Sequence, residues 1–429
     1  MKLLLKRMCM VAAILPAVQA MAGGFQVNLQ SVAQTGMAHV GAGLAFDGSV
    51  QYFNPGGLGF APTSISAGIT PIVARISYLA PSPDNYSTTN ERHISPPFSA
   101  YANYRYKFGA DNAIALGAAV YTPFGSRVSY ADDWRGQFAL REIALKTIFI
   151  QPTIGLKLGN RFGIGGGPVF ATGDVLLRRG VPAQFMDGSY GEARLSASGK
   201  GMGFNVGAMF NASSLLSFGI SYRSAVSFKA QDGQATFTVP SALAQYFPNT
   251  TFTGAIALPA TATIGSAYKL NNKHIFGLDV NYVFWSVYDS LNFDFAENTD
   301  KLADLKSGRE YHNSFIFRAG YQGELKKNLW VRGGLTFDMT PVPDGFLTPE
   351  TPDANKLGIS AGIGYQWKGL RADASFLWVE GAKRYDINQE TNFGGTFKGR
   401  AFIPGLSLTY IFEKERKGGS ILKDYPNDI

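Results

Sequence analysis

Along most of this chain, apolar residues recur at every second position in runs of about ten. Ile148, Ile150, Pro152, Ile154, Leu156 and Leu158 share one phase, and Phe149, Gln151, Thr153, Gly155 and Lys157 the other. Leu357, Ile359, Ala361, Ile363, Tyr365 and Trp367 alternate with Gly358, Ser360, Gly362, Gly364 and Gln366. Phe276 to Phe284 alternates against Gly277, Asp279 and Asn281, and Phe402 to Phe412 against Gly405, Ser407 and Thr409. The segment around Phe98 repeats the pattern, with Tyr101, Asn103, Arg105 and Lys107 on the polar side. A period of two belongs to strands whose two faces meet different surroundings. The pattern predicts about fourteen strands, with cores at 63–75, 97–109, 112–123, 144–158, 161–177, 193–211, 215–229, 259–270, 273–289, 313–323, 328–339, 356–368, 369–380 and 398–412. Short turns fall at Leu270–Lys273 and Lys326–Asn328. The longer intervals 124–142, 178–192, 230–256, 290–312 and 340–355 read as extracellular loops.

What occupies the polar phase decides the environment. A soluble β-sandwich would fill it with Lys and Glu facing bulk water. Here it holds mostly Gly, Ser and Thr, with sparse charges such as Asp279, Arg318, Arg332, Asp338, Arg371 and Asp373. Small residues suit the crowded inside of a filled barrel, and the apolar runs ending in Tyr, Trp or Phe suit a lipid-facing band with interfacial aromatics. Composition agrees. Charged residues are only 16% of the chain and Gly is 50 of 429, which speaks against disorder and against a helix-rich enzyme. The reading is all-β: a transmembrane antiparallel barrel, closed so that no sheet edge faces lipid.

Met1 to Ala22 has the three parts of a secretory signal peptide: Lys2, Lys6 and Arg7, then an uncharged stretch from Met8 to Ala20, then Ala20-Met21-Ala22. Cleavage there takes the only Cys with it and lowers the net charge of +8 by the three basic residues. What remains is too weakly basic to argue for nucleic acid. Residues 23–62 lack alternation and carry Asp47 as their only charge apart from His39. So little charge favours a segment packed inside the lumen as a hatch, over a free periplasmic arm. The barrel then spans 63–412, and 413–429 form a polar periplasmic tail.

Several motifs give this chain a family likeness. Gly23-Gly24-Phe25-Gln26-Val27-Asn28 forms the expected mature start, and Asn54-Pro55-Gly56 lies in the hatch. Tyr121-Thr122-Pro123-Phe124-Gly125 ends the third strand, and Leu258-Pro259-Ala260-Thr261 precedes Trp285-Ser286. Phe337-Asp338-Met339-Thr340-Pro341-Val342-Pro343-Asp344 is followed by Thr351-Pro352-Asp353. In order and spacing these resemble the long-chain fatty acid transporters of the bacterial outer membrane, a family that includes aromatic-hydrocarbon channels. The resemblance implies a fourteen-stranded barrel with an N-terminal hatch and passive uptake of hydrophobic compounds. A ligand lodges between extracellular loops, passes to a lumenal site, and leaves laterally beside a kink in the third strand once the hatch moves. It implies a protein of the outer membrane in contact with lipids and lipopolysaccharide, monomeric, without cofactor or metal.

Residues follow for each step. An apolar ligand needs apolar surface outside and inside. Trp134, Phe138 and Leu140 in one loop, and Val181, Phe185 and Met186 in the next, are either that surface or the packing of a lid. Phe25 and Val27 fall on the lumenal side. Arg178, with Leu177 as the competing match, and His312 fall where the family contacts a ligand carboxylate; the alternative is an ordinary solvated charge. Asn54, Pro55 and Gly56 suit a contact with wall backbone freed by a kink, and Gly in place of the family's Ala suggests a looser seat. Pro123, Phe124 and Gly125 suit the kink itself, since Pro gives no ladder donor and Gly often marks a bend; a simple strand end is the other reading. Lumenal Arg318, Arg332, Arg371, Asp338 and Asp373 are read first as pairing with one another or the hatch. No close His pair or nucleophile cluster suggests an enzyme. A plugged barrel that does not transport, serving as adhesin, phage receptor or structural protein, is the competing function.

Overall fold

The structure, a computed structural model, describes residues 23–271 and 273–412. The expected signal peptide and C-terminal tail lie outside these residues. Among them no helix is long and apolar enough to cross a membrane. The wall is a closed barrel of 14 antiparallel strands. The first strand, Ser64–Ile69 resuming as Ile72–Leu79, closes it against the last, Gly394–Ile411, with Ser64 opposite Ile411. The second is Phe98–Phe108, and the third Asn112–Tyr121 resuming as Gly125–Ser129. Glu142–Leu158, Phe162–Gln184 and Tyr190–Asn211 follow as the fourth to sixth.

Side chains sort by phase as the pattern requires. Leu278, Leu406, Ile359 and Trp367 lie exposed on the outside, while Asp279, Thr409, Ser360 and Gln366 are buried within. An outer face this apolar is stable against hydrocarbon and not against water. Tight turns close one rim. Asn271 and Asn328 there adopt φ of 54° and 63°, a left-handed conformation that Asn tolerates better than most residues.

The opposite rim departs from expectation. Much of 178–192 and 230–256 is not loop: the fifth and sixth strands run to Gln184 and from Tyr190, and paired strands occupy Val226–Thr238 and Thr250–Leu258. These hairpins rise as a second storey of sheet above the membrane-facing wall. The prediction took low lipid-type alternation for loop, whereas antiparallel pairing needs only backbone partners.

Residues 23–62 are mostly buried, with two short helices at Val32–Thr35 and Val50–Phe53. Many of their polar groups bond to strands around the wall. Gly41 N–H and Ala42 N–H donate to Asp279 at 2.7 and 3.1 Å, Ala38 N–H to Ser360 at 2.8 Å, and Gln151 and Asn205 donate to the Gln51 carbonyl at 2.8 and 3.0 Å. Asp47 pairs with Arg371, which bonds Asp373 at 2.7 Å, and Asp373 bonds Arg332 at 2.7 Å. Wall glycines allow this approach. A Cβ at Gly219 would lie 1.8 Å from the Ala42 oxygen, and one at Gly165 2.3 Å from the Pro55 oxygen.

Candidate ligand passage

The third strand is interrupted where Pro123 stands. Up to Tyr121 it pairs on both sides, with Ser99 opposite Tyr121 in the second strand and Phe149 opposite it in the fourth. After Thr122-Pro123-Phe124 it pairs with the fourth strand alone, Gly125 facing Lys146. The second strand starts only at Phe98, after Pro96 and Pro97, which have no N–H to give. The N-terminal segment takes up part of the vacated pairing. Val27 N–H donates to the Pro123 carbonyl at 2.8 Å and Gly125 N–H to the Phe25 carbonyl at 3.2 Å.

Behind this break lies a largely apolar cavity of about 630 Å³. Phe25, Val27 and Leu29 line one side, and Leu145, Leu377 and Ile403 contribute from the wall. Phe25 is held by edge contacts to Trp285 and Tyr288, at 5.0 and 5.3 Å between ring centres. A smaller apolar cavity of about 50 Å³ also borders Phe25, with Leu177 and Phe252 among its walls.

Pro123, Phe124 and Gly125 are therefore at the break, with Phe124 and Gly125 lining the large cavity. Asn54, Pro55 and Gly56 are not. Asn54 Nδ2 donates to the carbonyls of Ala42 and Ala208, at 2.8 and 2.9 Å, and Ala208 belongs to the sixth strand. Phe25 to Gln30 makes the third-strand contact instead, because it runs extended beside the free edge. Gly56 does not loosen the seat either: a Cβ there would lie 2.6 Å from the Ala208 Cα.

Of the four lumenal candidates, Phe25 and Val27 line the large cavity; Arg178 and His312 do not. Arg178 meets Glu192 at 2.7 Å, Asp132 at 3.3 Å and Glu142 at 3.4 Å, so its charge is already matched. His312 is exposed in a loop. Among the loop residues, Trp134, Leu140 and Val181 are buried in packing. Trp134 stacks on Tyr130 at 4.1 Å, and its indole N–H donates to the Leu140 carbonyl at 2.6 Å. Phe138 and Met186 stay exposed and Phe185 half-buried. Arg332, Arg371 and Asp373 pair as read. Arg318 donates to the ring and carbonyl of His39 in the N-terminal segment, the other partner that reading allowed. Burial, then the charges of Arg318 and Arg223, hold the His39 ring well below its usual pKa and so neutral.

The wall residues Leu145, Leu377 and Ile403 escaped the sequence reading. Their signal was an apolar side chain in the polar phase, as at Ile403 between Phe402 and Pro404.

Known proteins resemble this chain over nearly its whole length. The Escherichia coli K12 long-chain fatty acid transport protein is 22% identical, covering 94% of this chain and 97% of its own. Haemophilus influenzae outer membrane protein P1 is 22% identical over 94% and 98%. The solved structure of a Pseudomonas aeruginosa FadL homologue superposes with a TM-score of 0.78 at 17% identity, covering 91% of this chain and all of its own. The P. putida toluene transporter TodX does so at 0.66 and 13%, covering 92% and 100%. These structures share the fold. Residues 13–412 match the family described as outer membrane protein transport protein (OMPP1/FadL/TodX), and this chain, a β-barrel of the bacterial outer membrane, belongs to that family.

Proposed function

We propose that this chain carries hydrophobic compounds, long-chain fatty acids or similar molecules, passively across the outer membrane. The observation that carries the reading is the apolar cavity of about 630 Å³ set between the N-terminal segment and the broken third strand. Burial of apolar surface, about 25 cal/mol per Å², draws such a ligand out of water without an energy source. Phe138, Phe185 and Met186 offer it the first apolar contact at the outer rim. It then settles in the cavity against Phe25 and Val27. Residues 23–62 act as a hatch. When Phe25–Val27 withdraws from Pro123 and Gly125, the gap between the second and third strands opens sideways to lipid. The protein works as a monomer surrounded by lipid and lipopolysaccharide.

Uptake of labelled oleate and of toluene, in cells with and without the gene, tests this. Faster entry of at least one compound with the gene is expected. Equal rates for both would leave a plugged barrel that does not transport.

A further inference from the structure

Residues directly opposite one another on neighbouring strands have Cβ atoms about 5 Å apart, and like charges placed so repel. Where the wall sets two cations opposite each other, an acid usually stands in the same row. Arg178 faces Arg194, with Glu142 on the other side of Arg178. Arg75 faces Arg400, with Glu380 on the other side of Arg400. Lys200 of the sixth strand and Lys229 of the seventh (Leu216–Arg223 resuming as Val226–Thr238) face each other without one. Their outer neighbours in the row are Thr172 and Ala255. Among the described residues neither lysine forms an ion pair or a side-chain hydrogen bond.

Both lysines are exposed on the outside of the barrel. Lys200 shares its phase with Met202 and Phe204, which are exposed, and Lys229 stands between the buried Phe228 and Ala230. Ten residues separate Lys200 from Phe210 at the tight-turn rim. At about 3.3 Å each and a tilt of about 40°, they climb about 25 Å, the height of the apolar band of an outer-membrane barrel. The pair therefore sits where acyl chains give way to head groups, on the side of the long hairpins, which is the outer leaflet. Exposed Thr172 and Ser227 place hydroxyls beside it. Asp174 stands opposite Lys146 and takes the Ser198 hydroxyl at 2.6 Å, and Asp232 lies in a bulge beyond Lys229. Two ammonium groups held together at the edge of hydrocarbon, where water screens them less, favour an anion between them.

We propose that Lys200 and Lys229 hold a phosphate of lipopolysaccharide in the outer leaflet, with Thr172 and Ser227 as further donors and the acyl chains laid along Met202, Phe204 and Phe170. A phosphomonoester suits two cations because it carries up to about two negative charges and three acceptor oxygens. The fifth, sixth and seventh strands do not include the broken third, so this site belongs to the anchoring of the wall and not to the passage. It rests on the reading that lipopolysaccharide surrounds the barrel, and makes that contact a specific one.

The test is native mass spectrometry of the full protein in detergent, titrated with diphosphoryl lipid A and with the same lipid after removal of both phosphates. The two share their acyl chains and differ in charge. The phosphorylated form is expected to bind roughly ten- to hundredfold tighter, the range for hydrogen bonds to a charged group. Lys200→Gln combined with Lys229→Gln should remove most of that preference, and Arg at both positions should keep it. Arg75→Gln combined with Arg400→Gln should leave it in place. Folding of each variant is read from its heat-dependent shift on SDS gels. Equal affinity of the unmodified protein for both lipids overturns the site and marks lysines that merely reach into head-group water. An undiminished preference in the folded double Gln variant overturns it as well. Full displacement of the lipid by inorganic phosphate, beyond that by chloride at equal ionic strength, overturns the assignment to a lipid. If neither lipid binds the unmodified protein, the lipopolysaccharide reading fails and the site with it, while the uptake reading stands.

Discussion

Replacing Asn54 by Ala removes three hydrogen bonds from a fully buried side chain. Its amide donates to the Ala42 and Ala208 carbonyls at 2.8 and 2.9 Å and accepts from Gly56 N–H at 3.0 Å. A net contribution of about 0.5–1.5 kcal/mol for each bond gives about 2–4 kcal/mol for the seat. The loss falls on the docked N-terminal segment, because only the Ala208 contact reaches the wall and the barrel ladder does not depend on it. At about 1.4 kcal/mol per factor of ten, the segment should open roughly 30- to 1,000-fold more often. Hydrogen exchange read by mass spectrometry on peptides from 40–60 measures this directly, with peptides from the strands as internal reference. Asn54→Asp, which keeps the acceptor for Gly56 but sets a buried carboxylate against the Ala42 and Ala208 carbonyl oxygens, should open the segment at least as often as Asn54→Ala. Unchanged exchange in 40–60, or an equal loss of protection across the wall, would refute the idea that Asn54 fixes the segment to the sixth strand.

Arg371→Ala leaves Asp47 buried without its cation and should cost about 3–5 kcal/mol, read as a lower temperature for the heat-dependent gel shift; Arg332 still serves Asp373, so an unchanged temperature would mean that Asp47 finds another donor. His39 faces Arg318 and Arg223, with Asp279 in the same niche and Phe53 packed on its ring. Since its native pKa is lowered, the opened state takes up a proton that the docked state refuses. Its contribution is complete above pH about 6.5 and is lost as pH falls below that, so protection factors in 30–45, taken relative to the intrinsic exchange rate at each pH, should fall at pH 5, and His39→Gln should flatten the dependence. Gly125→Phe, placed at the strand break, should slow uptake of labelled oleate several-fold in a folded protein; full uptake would argue against exit beside the third strand. Trp134→Ala should cost the outer storey about 3–5 kcal/mol and expose 131–141 to added protease, with the membrane-facing wall intact.

The wall was legible because lipid imposes a stricter rule than a protein core does. Ile148 to Leu158 and Leu357 to Trp367 had to alternate, and their phase named the outside correctly. The rule ends where lipid ends, which is why 178–192 passed for a loop although most of it is paired strand. Local motifs likewise identify what a residue can do but not whom it meets. Asn54 was read as a donor to backbone freed by a kink; it does donate to backbone, but to Ala42 and to Ala208 within the paired sixth strand, not to the third strand. Arg178 has the right charge for an anchor, but its strand sets it beside Glu142 and Glu192. Arg318 looked like one more paired lumenal charge; only the three-dimensional arrangement shows that its neighbour is a neutral imidazole.

The bonds that seat residues 23–62 come from nearly the whole circumference: Tyr101 near the start of the wall, Asn205 midway, and Arg371 at 324 residues' separation from Asp47. Residues 23–62, which precede every strand of the wall, thus have no complete binding site until the last strand has closed on the first. Such distant pairings carry the entropic cost of closing a long loop. The full set of bonds therefore exists only within a closed wall, and a barrel that closed with one strand out of register would leave part of residues 23–62 undocked and open to proteases before it ever leaked.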